Sequence, residues 1–204
     1  PLSSLDTPIR KRLRDELHSL FESLDIPILY VTHDQRTATA LGDRLAVVRD
    51  GDTEQVGLPS TVLDRPANQF VARFIGTENL FNGTVTARFR DGVSVQFGDL
   101  QFRTAVSAVS GSSVTVCIHP SRVELDVSSE TAGTRTWNTV TGTVDRWLNE
   151  GNEYRVDVET ESMTLTASVQ PPMFERLAIE TGSELQVSVP PESIHLISNS
   201  EASC

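Results

Sequence analysis

A seven-residue stretch organises this chain of 204 residues: it reads NLFNGTV at residues 79–85 and returns as NTVTGTV at residues 138–144, an offset of 59. A second stretch, GSSVTV at residues 111–116, returns as GSELQV at residues 182–187, an offset of 71. Chance similarity between strands rich in valine and threonine is the alternative, and the shared order of the matches opposes it. The offset grows by 71 − 59 = 12, so the sequence predicts two related units, the second about a dozen residues longer.

Both units show the pattern of β-strands. Valine, threonine and phenylalanine alternate with polar residues in short runs such as Val93–Phe97 and Val114–Ile118, and turns that contain glycine separate the runs. We predict that units 79–125 and 138–196 are antiparallel, pack on each other and share one core. A single unit of this size would bury too little apolar surface to be stable.

The first 76 residues instead alternate helix and strand signals, which is typical of an α/β domain. Two or three strands with their helices are only part of a sheet that is buried on both faces. The predicted elements are a helix that starts at Pro8, a buried strand Ile28–Val31, a helix Asp34–Leu41, a strand Leu45–Val48, a turn Asp50–Asp52, and short helices after Pro59 and over Phe70–Ile75.

Composition and charge narrow the class of protein. Hydrophobic residues make up 38% of the chain, and no apolar run reaches the length of about 18 residues that a transmembrane helix needs. The net charge is −11, of which residues 1–76 contribute 9 − 11 = −2 and residues 77–204 contribute 8 − 17 = −9. An acidic surface without a basic stripe argues against a nucleic-acid partner.

The numbers of lysine and cysteine residues indicate the type of organism and the cellular compartment. The basic residues are 16 arginines and one lysine, Lys11, a bias that fits either adaptation to high cytoplasmic salt or a GC-rich genome. The two cysteines, Cys117 and Cys204, are too few for a disulfide framework or a metal cluster, so we expect a reduced, cytosolic protein without a metal site.

His33 is the strongest candidate for chemistry, because it ends a β-branched run at the edge where open α/β sheets bind ligands. The motif VTHD (31–34) resembles the switch-histidine loop of ABC transporter ATPases, and PLSSLD (1–6) resembles their D-loop. The β half resembles the TOBE/MOP domain that follows the ATPase domain in importers. The resemblance implies an α/β fragment of a P-loop ATPase domain (1–76), two OB-like TOBE/MOP β units (77–130 and 131–198) and a tail (199–204).

The resemblance also implies roles for individual residues. His33 would contact the γ-phosphate of ATP, and Ser4 and Asp6 would lie at the nucleotide sites of an ATPase dimer. The complete subunit would bind ATP and Mg²⁺ on the cytoplasmic side of the membrane, with a second ATPase subunit, transmembrane permease subunits and, indirectly, an extracellular solute-binding protein as partners. No Gly-x-x-x-x-Gly-Lys-Ser/Thr motif occurs, so we expect this chain to be a C-terminal piece that is inactive and binds no cofactor alone.

The solute is the least determined part of the prediction. Related β domains bind molybdate or tungstate, and Arg135, Thr136 and Asn138 place a basic residue beside polar groups at the start of the second unit. A structural or regulatory β domain is the alternative to direct oxyanion binding. Because the stretch GTEN (76–79) opens a doubled β unit of this kind, the resemblance implies an importer of molybdate, tungstate or a sulfate-like oxyanion, and the scarcity of lysine points to a halophilic archaeon. An importer of sugars or polyamines is the alternative within the class, and a stand-alone oxyanion-binding or sensor module is the alternative outside it.

Overall fold

The computed structural model describes residues 16, 17, 19–21, 23, 24, 26–127 and 138–199. The chain divides into two compact units, Pro1–Val62 and Leu63–Cys204, and each is considered by itself. Among the described helices, none has the length and apolar character needed to cross a bilayer. The helices are α1 (Gln35–Leu41), α2 (Pro59–Asp64), α3 (Gln69–Phe74) and α4 (Pro171–Arg176).

Twelve strands are described, two in the first unit and ten in the second. They are β1 (Leu45–Arg49), β2 (Asp52–Gly57), β3 (Asn79–Phe89), β4 (Gly92–Phe97), β5 (Leu100–Thr104), β6 (Ser113–Ile118), β7 (Glu124–Val127), β8 (Asn138–Asn149), β9 (Tyr154–Glu159), β10 (Thr164–Val169), β11 (Glu184–Val189) and β12 (Ile194–Ser198).

The first unit contains an antiparallel hairpin, in which β1 pairs with β2. Asp50 and Gly51 connect the two strands and both have positive φ, 52° and 92°, which is the conformation of a tight hairpin turn. The predicted strand over Leu45–Val48, the turn after it and the helices after Pro59 and over Phe70–Ile75 are confirmed. Several described residues between 16 and 23 are helical, as the apolar periodicity predicted.

The prediction of a buried strand over Ile28–Val31 is wrong for this structure. These four residues form no strand, and their exposed fractions run from 38% for Tyr30 to 89% for Leu29. A parallel strand is stable only between neighbouring strands that bond its backbone. In the described part of the first unit the strands are β1 and β2, which bond to each other, so Ile28–Val31 has no sheet to join. The described residues therefore do not show the parallel sheet of a P-loop ATPase domain.

The second unit is built from two five-stranded antiparallel sheets with the same strand order. One sheet runs β5-β4-β3-β6-β12 and the other runs β10-β9-β8-β11-β7. The last strand of each repeat lies in the sheet of the other: β7 pairs with β11, and β12 pairs with β6. The two predicted β units are confirmed, and each is completed by a strand from its partner.

The repeated glycine and valine have the same structural cause in both units. A Cβ atom on Gly83 would lie 2.6 Å from a methyl group of Val95, and one on Gly142 would lie 2.6 Å from the carbonyl oxygen of Glu159, so neither position has room for a side chain. Val85 and Val144 are each 1% exposed and are each followed by a β-bulge. The repeat in the sequence thus records a close approach of strands and a bend that both sheets need.

The two sheets face each other across one hydrophobic core, as predicted. It includes Val85, Val95 and Val116 from the first repeat together with Val144, Val158 and Val187 from the second. Half of the additional length of the second repeat lies between β10 and β11, where α4 is inserted.

The predicted boundary after residue 76 lies 14 residues beyond the start of the second compact unit, Leu63. The difference arises because α3 packs on the β-sheets. Ala72 of α3 is fully buried against Cys117 and Ile197, and the Gln69 amide donates a hydrogen bond of 2.7 Å to the Thr115 hydroxyl.

Candidate functional site

His33 lies exposed immediately before α1. The neighbouring Asp34 caps the helix: its Oδ1 accepts the Thr37 backbone N–H at 3.2 Å, and its Oδ2 accepts the Thr37 hydroxyl at 2.6 Å. The Asp34 backbone N–H is in turn donated to the Thr32 hydroxyl at 3.0 Å. The cap fixes the backbone on both sides of His33 and leaves its ring accessible to a ligand.

Among the described residues, no group of three or more His, Cys, Asp or Glu side chains is placed to hold the metal ion of a nucleotide. The sequence contains no phosphate-binding loop, and the carboxylate of Asp34 is used by the helix cap. Ser4 and Asp6 lie outside the described residues.

Two of the predicted oxyanion ligands, Arg135 and Thr136, also lie outside the described residues. The third, Asn138, is 8% exposed and has a role in the fold. Its amide group donates to the carbonyl oxygens of Arg103 at 2.8 Å and Val189 at 3.0 Å, and its Oδ1 accepts the Arg103 N–H at 2.5 Å. Both amide hydrogens are used, so the side chain has none left for an anion.

Asn79, at the same place in the first repeat, makes the equivalent set of bonds. Its amide group donates to the carbonyl oxygens of Thr166 at 2.8 Å and Ile118 at 3.2 Å, and its Oδ1 accepts the Thr166 N–H at 2.7 Å. Each asparagine thus binds the edge strand of the other repeat: Asn79 binds β10 and Asn138 binds β5. The pair joins the two units by a reciprocal set of backbone contacts.

A network of alternating charges lies beside Asn79. Glu78 is ion-paired with Arg155, and Arg155 Nε lies 3.8 Å from Asp157 Oδ1. The Asp157 carboxylate, 6% exposed, accepts Arg146 Nε at 2.6 Å and the Thr166 hydroxyl at 2.8 Å. Burial raises the pKa of the Glu78 carboxyl, and the nearby Arg155 partly offsets this effect.

Within residues 79–127 and 138–199, which the structure describes, the network occurs in the second repeat only. Arg146 pairs across its strands with Asp157, whereas the corresponding cross-strand pair of the first repeat, just after its bulge, is Ala87 with Ser94. The sheet forms equally well around the small pair. The charges are therefore a feature of the second repeat and not a requirement of the fold.

The segment that leads into α3 is held by three polar contacts to the β-sheets. Asp64 pairs with Arg122 at 3.3 Å on the surface, His195 Nε2 lies 3.0 Å from the Pro66 carbonyl oxygen, and Gln69 binds Thr115. Burial lowers the pKa of His195, which favours the neutral ring as donor to Pro66.

Sequence reasoning missed the role of the asparagines and the charge network. The signal for the first was present, because Asn79 occupies the position of Asn138 in a unit without a neighbouring arginine. No sequence signal identified Glu78 and Arg155 as partners, since 77 residues separate them along the chain.

Comparison with known proteins agrees with this architecture. Residues 116–197, from β6 to β12, match the family model for the TOBE domain. The fold resembles a crystal structure of the cytoplasmic molybdate-binding protein ModG with molybdate bound (TM-score 0.54, 17% identity, 61% of this chain and 98% of that chain). The second unit therefore has a TOBE-type fold made of two β units.

Sequence relatives extend the comparison to the whole chain. It is 34% identical over 204 residues to the xylose/arabinose import ATP-binding protein XacK of Haloferax volcanii, covering 96% of this chain and 50% of that protein. It is 38% identical over 129 residues to the spermidine/putrescine import ATP-binding protein PotA of Oleidesulfovibrio alaskensis, covering 61% of this chain and 34% of that protein. The chain is homologous to importer ATP-binding subunits and spans half of their length or less.

Proposed function

We propose that this chain is the C-terminal part of the ATP-binding subunit of an ABC importer. The observation that carries the proposal is the similarity to an import ATP-binding protein over 96% of the chain, together with the TOBE-type fold of the second unit. In the complete subunit, ATP and Mg²⁺ would bind to residues that this chain lacks, and His33 would face the γ-phosphate.

The proposed partners follow from the same relatives. A second copy of the subunit would complete the nucleotide sites through Ser4 and Asp6, and permease subunits would hold the dimer at the cytoplasmic face of the membrane. An extracellular solute-binding protein would deliver the solute without touching this chain.

The test uses His33 in the complete subunit. Because its ring would act mainly on the transition state, His33→Ala should leave ATP binding nearly unchanged and lower the rate of hydrolysis by orders of magnitude. Thr39→Ala is the matched control, since the Thr39 hydroxyl bonds only within α1, to the Gln35 carbonyl oxygen. Normal hydrolysis in the His33 variant would refute the role of this residue, and hydrolysis by residues 1–204 alone would refute the proposal.

The nature of the solute is a separate proposal. The likeness to ModG, at 17% identity, concerns the fold alone and does not identify the solute. Relatives at 32–38% identity are named for a pentose, for polyamines and for Fe(3+) ions, so the sequence similarity does not favour an oxyanion. The β domain then serves as a structural and regulatory module.

Calorimetric titration of this chain with molybdate and tungstate tests whether its β domain binds an oxyanion. We expect no heat of binding up to millimolar ligand, because Asn138 has no free N–H and the surface is acidic. Micromolar binding that disappears in Arg135→Gln would instead support the oxyanion site and the reading of the domain as a sensor.

A further inference from the structure

The end of α3 is connected rigidly to Glu78. Gly76 lies two residues after Phe74, the last residue of α3, and its φ of 81° is a left-handed conformation that glycine adopts without strain. The Gly76 N–H is donated to the Arg73 carbonyl oxygen at 3.1 Å, and the Thr77 N–H to that of Ala72 at 2.9 Å. These are the two bonds of a Schellman cap, and they leave little freedom between the helix and the residue that follows Thr77.

An ion pair to the second β unit holds this end of α3 in place. Glu78 pairs with Arg155 on β9, and their side chains are 34% and 33% exposed. Next to it, Asn79 is bonded to the backbone of Thr166 on β10. The helix that packs on the sheet β5-β4-β3-β6-β12 is therefore attached at its C-terminal end to the other sheet.

Arg155 is itself positioned by other side chains of the second repeat. Its Nε is buried and, among the described residues, has no hydrogen-bond partner; it faces Asp157 at a distance too long for a hydrogen bond. Asp157 is fixed by Arg146 on β8 and Thr166 on β10. A shift of the β8–β9 hairpin therefore moves the group that holds Glu78, because successive ion pairs connect Arg146, through Asp157 and Arg155, to Glu78.

We propose that Glu78 and Arg155 form a latch through which the second β unit sets the position of α3. Along the chain, the segment that contains α3 leads into the β-sheets. The latch therefore connects the conformation of the second repeat to the segment where the chain enters the β domain. The first repeat has Ala87 and Ser94 where the second has Arg146 and Asp157, so a sheet of this kind forms without the charges that contact Arg155.

Amide hydrogen exchange of the full chain tests the latch at single residues. The reporters are the capping amides of Ile75, Gly76 and Thr77, and the reference amides are those of Val116 and Val187 in the two sheet centres. Glu78→Gln and Arg155→Met should each accelerate exchange of the reporters by about five-fold or more, and leave the reference amides unchanged. The double variant should be no faster than the faster single variant, since the two groups act as one contact.

Two exposed residues provide matched controls. Glu184→Gln removes a carboxylate at the start of β11, and Arg176→Met removes an arginine whose contact is to Met173 in the same helix. Neither control should change the reporters. The proposal is overturned if the latch variants leave the reporter amides unchanged, if they accelerate reporter and reference amides equally, or if the effects of the two single variants add in the double variant.

Discussion

The reciprocal asparagines allow a quantitative prediction about what joins the two β units. Asn79 is 1% exposed, and its amide bonds one N–H and two carbonyl oxygens. Asn79→Ala leaves all three backbone groups without this partner in a place where water has little access. A buried polar group without its partner costs about 1–3 kcal/mol. The loss at the Thr166 N–H and carbonyl is the larger part, so we expect Asn79→Ala to lower the free energy of unfolding by about 2–4 kcal/mol.

The equivalent change in the second repeat should cost less. Asn138 is 8% exposed, and two of its three bonds go to the backbone of Arg103, an exposed residue on the edge strand β5. Water can replace part of those bonds, so Asn138→Ala should lower the free energy of unfolding by about 1–2 kcal/mol. Asn152→Ala, in the exposed loop between β8 and β9, is the control and should lose less than about 0.5 kcal/mol.

Urea unfolding followed by tryptophan fluorescence measures these differences in the second compact unit. Both tryptophans of the chain, Trp137 and Trp147, belong to that part of the sequence, so the signal is not mixed with unfolding of the first unit. The expected order of the losses is Asn79 > Asn138 > Asn152. A loss below about 1 kcal/mol for Asn79→Ala, or a larger loss for Asn138→Ala, would refute the argument that buried backbone partners set the cost.

Three further outcomes follow from the same structure. A fragment of residues 63–199 should melt cooperatively, and a fragment of residues 77–198 should melt at a lower temperature because it lacks α3. Each single repeat, residues 63–127 or 138–199, lacks the fifth strand of its sheet and should show no melting transition by circular dichroism. Burial lowers the pKa of His195, so the folded state binds this proton less readily than the unfolded state; stability should fall as the pH drops below the ordinary value of 6.5, and His195→Gln should reduce that slope in pH-dependent urea titrations. Burial raises the pKa of the Cys117 thiol to about 12, so in a Cys204→Ser background a thiol reagent should label the chain only after unfolding, as mass spectrometry would show.

The sequence was sufficient to predict the two β units because their cause is local. The close approach of a neighbouring strand requires glycine at 83 and 142, and a buried position before a bulge favours valine at 85 and 144. Because these causes act in both units, the same residues recur in the sequence and reveal the repeat. The exchange of β7 and β12 leaves no such mark. An alternating strand buries the same apolar face in either sheet, and only the path of the chain decides which sheet it joins.

The candidate site was harder to predict, because polar residues have the same appearance in a ligand site and in a structural contact. Asn138 stands near Arg135 and Thr136 in the sequence and was interpreted as a ligand, whereas its amide is used by the backbone of another strand. The exposed run Ile28–Val31 shows the opposite case. Its composition favours a strand, but a strand is a property of a sheet, and the described residues supply no neighbour for it.

Comparing the two repeats separates residues that the fold needs from residues that serve one unit. Positions that agree, such as Asn79 with Asn138, carry bonds or packing that both sheets require. Positions that differ, such as Ala87 opposite Ser94 against Arg146 opposite Asp157, are free of that requirement, because one sheet forms around small residues and the other around charges. An ion pair with an exposed partner adds little to stability, and the Arg146 side chain is 71% exposed. The charges of the second repeat therefore need a reason other than the fold, and their contact with the residue that follows α3 supplies one.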